Sequence, residues 1–176
     1  MRPLTDALPK PLLPVAGKPL IAWSIERLAR AGFNDLVINH AHLGARIESA
    51  LGGGAEWGVR IRYSREREAL ETAGGIAFAL HLLGEEPFLV INGDIYCEYD
   101  FRACKERARD VGRGGDVAHL VLVPNPDHRP EGDFELAGRR VVERGGERLT
   151  FAGIGIYSRA LFDGIAPGAR VKLAPL

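Results

Sequence analysis

The sequence predicts an α/β fold, a mixed and mainly parallel sheet flanked by helices. Three observations carry that expectation. Short apolar runs closed by turn residues occur at Leu36-Val37-Ile38 and Phe88-Leu89-Val90-Ile91, and stretches with apolar residues at helical spacing surround them. After Gly114 the rhythm changes to several strand-like runs with short connections, which adds a smaller antiparallel layer. With 176 residues, 46% of them hydrophobic, the chain is sized for one core. A single domain over 1–176 is expected, its halves being 1–114 and 115–176.

The opening segment, Arg2 to Val15, holds Pro3, Pro9, Pro11 and Pro14 and is expected as an extended loop. From Pro19 to Ala31 the residues Leu20, Ile21, Trp23, Ile25, Leu28 and Ala29 predict an amphipathic helix ended by Gly32. Leu36 to Ile38 then reads as a strand buried on both faces. Gly44 to Leu51 reads as a shorter helix stopped by Gly52-Gly53-Gly54, and Val59 to Tyr63 as a strand with one wet face. Gly75 to Leu83 is expected as a helix opened by Glu71 to Gly75, Phe88 to Ile91 as a second fully buried strand, and Asp100 as the cap of a helix reaching Asp110. Strands are expected at Val117–Val123, Phe134–Leu136, Arg140–Glu143 and Leu149–Tyr157.

Composition narrows function. Lys plus Arg and Asp plus Glu are equal at 23 each, so no basic field exists to hold nucleic acid. Cys97 and Cys104 match neither a zinc-knuckle nor a redox spacing, and reduced thiols are expected. The N-terminus has no secretory apolar region and no stretch reaches the length of a membrane span, so a cytoplasmic location without membrane contact is expected. P-loop, GxGxxG and GxSxG motifs are all absent.

Asp94 is the first candidate for chemistry. It follows a buried strand directly, and the carboxyl ends of such strands are where open α/β sheets bind ligands. A carboxylate there can hold Mg²⁺, a hard cation, and Gly93 leaves space for a phosphate or metal. An ordinary Asn-Gly-Asp turn explains the same residues equally well. Lys10, braced by Pro9 and Pro11, can serve as a point charge against phosphate or simply be a solvated lysine. Glu71-Thr72-Ala73-Gly74-Gly75 offers helix-start amides to a polar ring edge or an anion, or is a plain tight turn. His40 and His42 make a poor metal pair and read as polar loop residues.

In combination, Arg2 to Thr5, Pro9 to Ile21, Leu70 to Gly75 and Val90 to Asp94 resemble the nucleotide-sugar pyrophosphorylase family, the sugar-1-phosphate nucleotidyltransferases, in order and spacing across nearly the whole chain. The resemblance implies a Rossmann-like sheet with a sugar-binding layer in the second half. It implies transfer of a nucleoside monophosphate to a sugar-1-phosphate with release of pyrophosphate and help from Mg²⁺. The run from Asn125 to Leu136 and that from Leu149 to Tyr157 point to UTP and N-acetylmuramate-1-phosphate as used in peptidoglycan recycling. Mannose-1-phosphate with GTP, glucose-1-phosphate with a thymidylyl or uridylyl donor, and a non-catalytic regulatory module are the alternatives. By the same resemblance Arg2 and Lys10 contact the phosphates, and Glu71, Thr72, Gly74 and Gly75, with Asn92 and Gly93, line the nucleotide site. Asp94 holds the metal, Glu143 binds sugar hydroxyls, and Gly132, Asp133 and Gly153 shape the sugar pocket. The family pattern also carries a first strand and glycine-rich loop ahead of the position of Met1, and a second metal-binding aspartate beyond that of Leu176.

Overall fold

The computed structural model describes residues 4–113 and 115–176. The extended loop expected of the proline-rich opening segment is not what the described residues form. They form a one-turn helix α1 (Leu4–Ala7) and a 3-10 turn at Lys10–Leu12. Pro9 precedes that turn and Pro11 lies inside it, positions where a fixed φ suits a helical start and the missing N–H costs nothing. Leu12 anchors the turn in the core. Strands β1 (Pro14–Val15) and β2 (Lys18–Pro19) form a small hairpin, and both turn residues take positive φ, 48° at Ala16 and 86° at Gly17.

Helix α2 (Leu20–Arg30) buries Leu20, Ile21, Ala22, Ser24 and Ile25 on one face. It packs with α3 (Gly44–Leu51) around a core that includes Ile47, Leu51 and Ile61. Fully burying an aliphatic side chain of this size contributes about 1.5–3 kcal/mol. Strands β3 (Asp35–His40) and β4 (Arg60–Arg65) pair in parallel and in register from Asp35 opposite Arg60 to His40 opposite Arg65. Helix α4 (Glu71–Ala79) then crosses over to β5 (Phe88–Ile91). It starts four residues earlier than the apolar spacing predicted and ends four residues sooner.

The second half is antiparallel, as its short connections predicted. After α5 (Arg102–Asp110), β6 (Ala118–Val123), β7 (Phe134–Ala137) and β8 (Arg140–Val142) assemble with the long β9 (Glu147–Tyr157). Asp100 does serve the start of α5, its Oδ1 accepting from the Arg102 amide at 3.1 Å. Strand β9 joins the halves, because Ile154 to Tyr157 also pairs antiparallel with β5. Its fully buried Ile154, Ile156 and Tyr157 divide between two core clusters on the sheet.

Two expectations are corrected by this pairing. Among the described residues β5 pairs with β9 alone and not with β3, and neither β3 nor β5 is fully buried. The reason is a cavity of about 340 Å³ between their facing edges, walled by Leu36 to Asn39 on one side and Phe88 to Ile91 on the other. Ile25, Leu28 and Ile76 line its faces.

Candidate active site

Lys10 Nζ donates to Asp94 Oδ2 at 2.5 Å, across 84 residues of sequence. Both side chains remain partly open to solvent, 43% and 37% exposed, so an incoming ligand can reach them. Backbone packing makes the meeting possible. Pro11 and Ile21 sit at 3.7 Å and 3.5 Å from where a Gly93 side chain would begin, so the lysine's turn rests on the Asn92-Gly93-Asp94 turn. Gly93 therefore faces the chain's own interior, and the space it leaves is met by Pro11 and Ile21.

Strand β4 runs into α4 through residues 66–70, and α4 returns to the start of β5. The N-terminus of α4 thus lies at the carboxyl end of β4, and β5 delivers Asp94 at its own carboxyl end. Asn92 holds the second half in place there: its amide donates to Gly153 O at 2.9 Å. Gly153 has φ 75°, and a Cβ would approach Asn92 Nδ2 to 2.8 Å, so only glycine fits.

The α4 start is built by residues that periodicity did not single out. Leu70 (φ −90°, ψ 6°) followed by Glu71 (φ 62°) aims successive amides into one concavity, an arrangement that takes an anion. The protein supplies that anion itself. Glu66 Oε2 accepts from the Leu70 amide at 3.0 Å while Oε1 accepts from Asn39 Nδ2 at 2.9 Å. Gly74 and Gly75 are buried, and their missing side chains make room for this chain's own atoms. A Cβ at Gly75 would come within 2.6 Å of Asn39 Nδ2, and one at Gly74 would overlap the Ala169 carbonyl. The groups left facing outward are those of Glu71 and Thr72. Glu71 is paired with Arg170 at 2.9 Å.

The second-half candidates separate. Asp133 Oδ2 accepts from the Phe151 amide at 2.9 Å and Oδ1 pairs with Arg129, so this carboxylate organises the β7–β9 corner. Gly132 (φ 58°) is buried beside Asn125, which accepts from Thr150 Oγ1 at 2.9 Å. Glu143 is exposed at the end of β8 and has no hydrogen bond or ion pair among the described residues. Arg2 lies outside the described residues. His40 departs from expectation: its ring is buried over Gly44, with Nε2 2.8 Å from Glu48. Glu48 also receives two hydrogen bonds from Arg65. Those bonds to Arg65, with a further one from His40 and against the opposing pull of burial, hold its carboxyl down to about 2. His42 is exposed, and no group of three His, Cys, Asp or Glu suited to a metal occurs among the described residues. Nor is any helix among them long and apolar enough to cross a membrane.

An α/β fold with a lysine–aspartate pair past β5 and a glycine-containing helix start past β4 agrees with the class that sequence comparison gives. The chain belongs to the nucleotidyl transferase family, whose sequence profile matches residues 1–143. Within it the chain is 55% identical, over its full length and 78% of the relative's, to the N-acetylmuramate alpha-1-phosphate uridylyltransferase of Neisseria meningitidis serogroup B. It is 32% identical to the mannose-1-phosphate guanyltransferase of Gibberella zeae, over 99% of this chain and 49% of that protein. The fold is similar to a crystal structure from Bacillus anthracis named for glucose-1-phosphate thymidylyltransferase, with TM-score 0.81, 25% identity, and coverage of 97% of this chain and 72% of that one. It is also similar to HddC from Yersinia pseudotuberculosis, with TM-score 0.76 and 23% identity over 96% of this chain and 77% of that one.

Proposed function

We propose that the protein transfers a uridylyl group from UTP to N-acetylmuramate-1-phosphate in the cytoplasm, releasing pyrophosphate, with Mg²⁺ held at Asp94. The observation that carries this reading is the Lys10–Asp94 contact at the carboxyl edge of the sheet. A sugar-phosphate oxygen attacks the α-phosphorus, a new P–O bond forms, and the bond to the bridging oxygen of the β-phosphate breaks. Pyrophosphate takes away that electron pair. Positioning and charge neutralisation are what the protein must supply.

Electrostatics assign the roles. A bare carboxylate about 4 Å from a phosphate oxygen would meet a repulsion on the order of 4 kcal/mol per unit charge in a surface cleft. Lys10 removes that penalty in the free protein by neutralising Asp94, and its two remaining N–H donors can hold phosphate oxygens. Asp94 offers one hard oxygen donor group, and one or two carboxylates completed by substrate phosphates are the usual environment of Mg²⁺. The donor set fits a cation that arrives with the nucleotide. When bound there, Mg²⁺ supplies charge neutralisation to the phosphates. Glu71, Thr72, Gly74 and Gly75 frame the base, with Asn92 and Gly93 beside the phosphates and Arg2 a further phosphate contact. Gly132, Asp133 and Gly153 shape the sugar side, and exposed Glu143 receives the sugar hydroxyls. The 55% identity to the Neisseria relative favours this sugar and base over mannose-1-phosphate and GTP.

The test is pyrophosphate release by the full-length protein with UTP, N-acetylmuramate-1-phosphate and Mg²⁺. Turnover with this pair, exceeding that with mannose-1-phosphate and GTP, is expected. Asp94→Asn should lower kcat by two orders of magnitude or more while leaving the unfolding midpoint in place, a loss of about 2.7 kcal/mol or more in the barrier. Nucleotide binding without turnover on any sugar phosphate would establish the regulatory reading instead.

A further inference from the structure

We propose that Trp23 is a positioning residue for the Lys10–Asp94 pair, a single indole that ties together the two loops delivering those side chains. The inference rests on the roles given to Lys10 and Asp94 above.

The loops come from opposite ends of the nucleotide-binding half. That of Lys10 runs on into the β1–β2 hairpin, and that of Asp94 runs on through residues 95–100. In the second loop burial alternates. Ile95, Cys97 and Tyr99 pack inward against the cluster around Phe101 and Ile154, while Tyr96, Glu98 and Asp100 are exposed. Tyr96 is thus turned outward two residues past Asp94. Trp23 meets both loops. Its Nε1 donates to Val15 O at 3.0 Å, which holds the hairpin five residues past Lys10. Its ring meets Tyr96 edge-on, with centroids 5.9 Å apart and planes at 82°, a geometry that aromatic pairs prefer.

The indole is itself held. Lys18, from the second arm of the hairpin, places Nζ 3.6 Å from its ring centroid and pairs with Glu26 of α2. One turn further along α2, Arg27 lies 5.8 Å from the Tyr96 centroid and 4.0 Å from Glu98. Tyr96 therefore spans one turn of α2, gripped by Trp23 and Arg27. Lys18, Glu26 and Arg27 are all partly buried, unlike solvated surface charges. Tryptophan suits the place because it joins a wide ring to an N–H donor, whereas phenylalanine has the ring alone and leucine neither. Leu12 and Ile95 anchor the two loops from the core side, and Trp23 closes them from outside. Without that tie the loops can drift, and a misplacement of about 1 Å at reacting groups costs on the order of 10²-fold in rate.

The experiment takes two readouts from the full-length protein. The first needs no substrate: the rate at which acetic anhydride labels Lys10, followed by mass spectrometry against exposed Lys172. The second is kcat and KM for UTP with N-acetylmuramate-1-phosphate and Mg²⁺. Asp94→Asn sets the labelling rate of a Lys10 released from its partner, and Trp23→Leu should move most of the way towards it. Trp23→Leu should also lower kcat about 10- to 100-fold, with KM for UTP within about twofold of wild type. Trp23→Phe, which loses only the bond to Val15, should fall between the two. Tyr96→Leu should act in the same direction as Trp23→Leu. Tyr96→Phe should restore wild-type values, because the hydroxyl makes only a 3.5 Å contact with Glu98. Arg159→Ala removes a hydrogen bond to Leu80 O beyond the end of α4 and should leave both readouts at wild type, separating positioning from general loss of stability. Wild-type labelling of Lys10 in Trp23→Leu, or equal labelling in Asp94→Asn and wild type, overturns the proposal. Raised labelling with an unchanged kcat also overturns it, by making the tie structural. A wild type without turnover on this substrate pair refutes the uridylyl-transfer reading instead, and the labelling rates then decide the positioning alone.

Discussion

Adjacent glycines in α4 should respond unequally to alanine. At Gly74 the new Cβ would overlap the carbonyl oxygen of Ala169 and lie 3.1 Å from the Val171 amide, both backbone atoms that no rotamer change can move. Residues 169–171 form a strap across the loop that opens α4, and that strap has to lift. That breaks the Gly74–Val171 and Val171–Leu70 hydrogen bonds, each worth about 0.5–1.5 kcal/mol net, and loosens Val171 and Leu173 from the cluster around Tyr157 and Phe162. A total cost of about 2–4 kcal/mol is partly offset by about 1 kcal/mol of helix propensity gained on replacing glycine, leaving about 1–3 kcal/mol of destabilisation. For a chain of this size each kcal/mol is about 2–4 °C in midpoint, so Gly74→Ala should lower Tm by roughly 2–12 °C. At Gly75 the atoms met are Asn39 Nδ2 and Glu66 Oε1, both at 2.6 Å and both ends of side chains that can swing aside. Gly75→Ala loses about one hydrogen bond and gains the same propensity, so its Tm should stay within about 2 °C of wild type. Thermal and urea unfolding measure both, and hydrogen exchange at the Val171 amide reports the strap directly. A Gly74→Ala protein as stable as wild type, or a Gly75→Ala protein whose Tm falls more than about 2 °C below wild type, would refute the reasoning.

Three further outcomes follow from single contacts. The Tyr157 hydroxyl is buried without a hydrogen-bond partner among the described residues, so Tyr157→Phe should raise stability by about 1 kcal/mol in urea unfolding. Arg159 Nη1 donates to Leu80 O at 2.9 Å, Leu83 O at 3.4 Å and Gly84 O at 3.3 Å, closing the end of α4. Arg159→Ala should cost about 1–2 kcal/mol and increase amide exchange in residues 80–84. Glu48 is held at about 2 against an ordinary 4.5, so its folded-state contribution is complete above 4.5 and is lost as pH falls from there towards 2. Glu48→Gln should flatten that acid limb in a series of unfolding midpoints, with little change in its shape above pH 5.

The bounds of α3 and β5 were legible because each is written locally: apolar residues at one period, then Gly52 or Asn92 to stop it. Helix α4 was misplaced because its register is set from elsewhere. Ala73-Gly74-Gly75 carries no periodic signal, and its start is fixed by Glu66 under the Leu70 amide and by the strap at Val171. Its end is fixed by Arg159, 79 residues from Leu80. The half-exposure of β5 was likewise unreadable, since burial depends on which strands flank it, and its apolar side chains are the same whether a neighbour or a cavity lies alongside. Candidate chemistry divided along the same line. Lys10 and Asp94 could be chosen from local context, a rigid lysine and a strand-end carboxylate, although neither spacing implied that they touch. Glu66, Asn39 and Arg170 escaped notice because a glutamate directly past a strand, an asparagine at a strand end, or an arginine in a loop looks like any solvated polar group. What distinguishes them is the partner that folding brings. Residues that make chemistry possible in general can therefore be read one at a time. Those held by contacts across the loop are defined only when the α4 start, Glu66 and the strap are assembled.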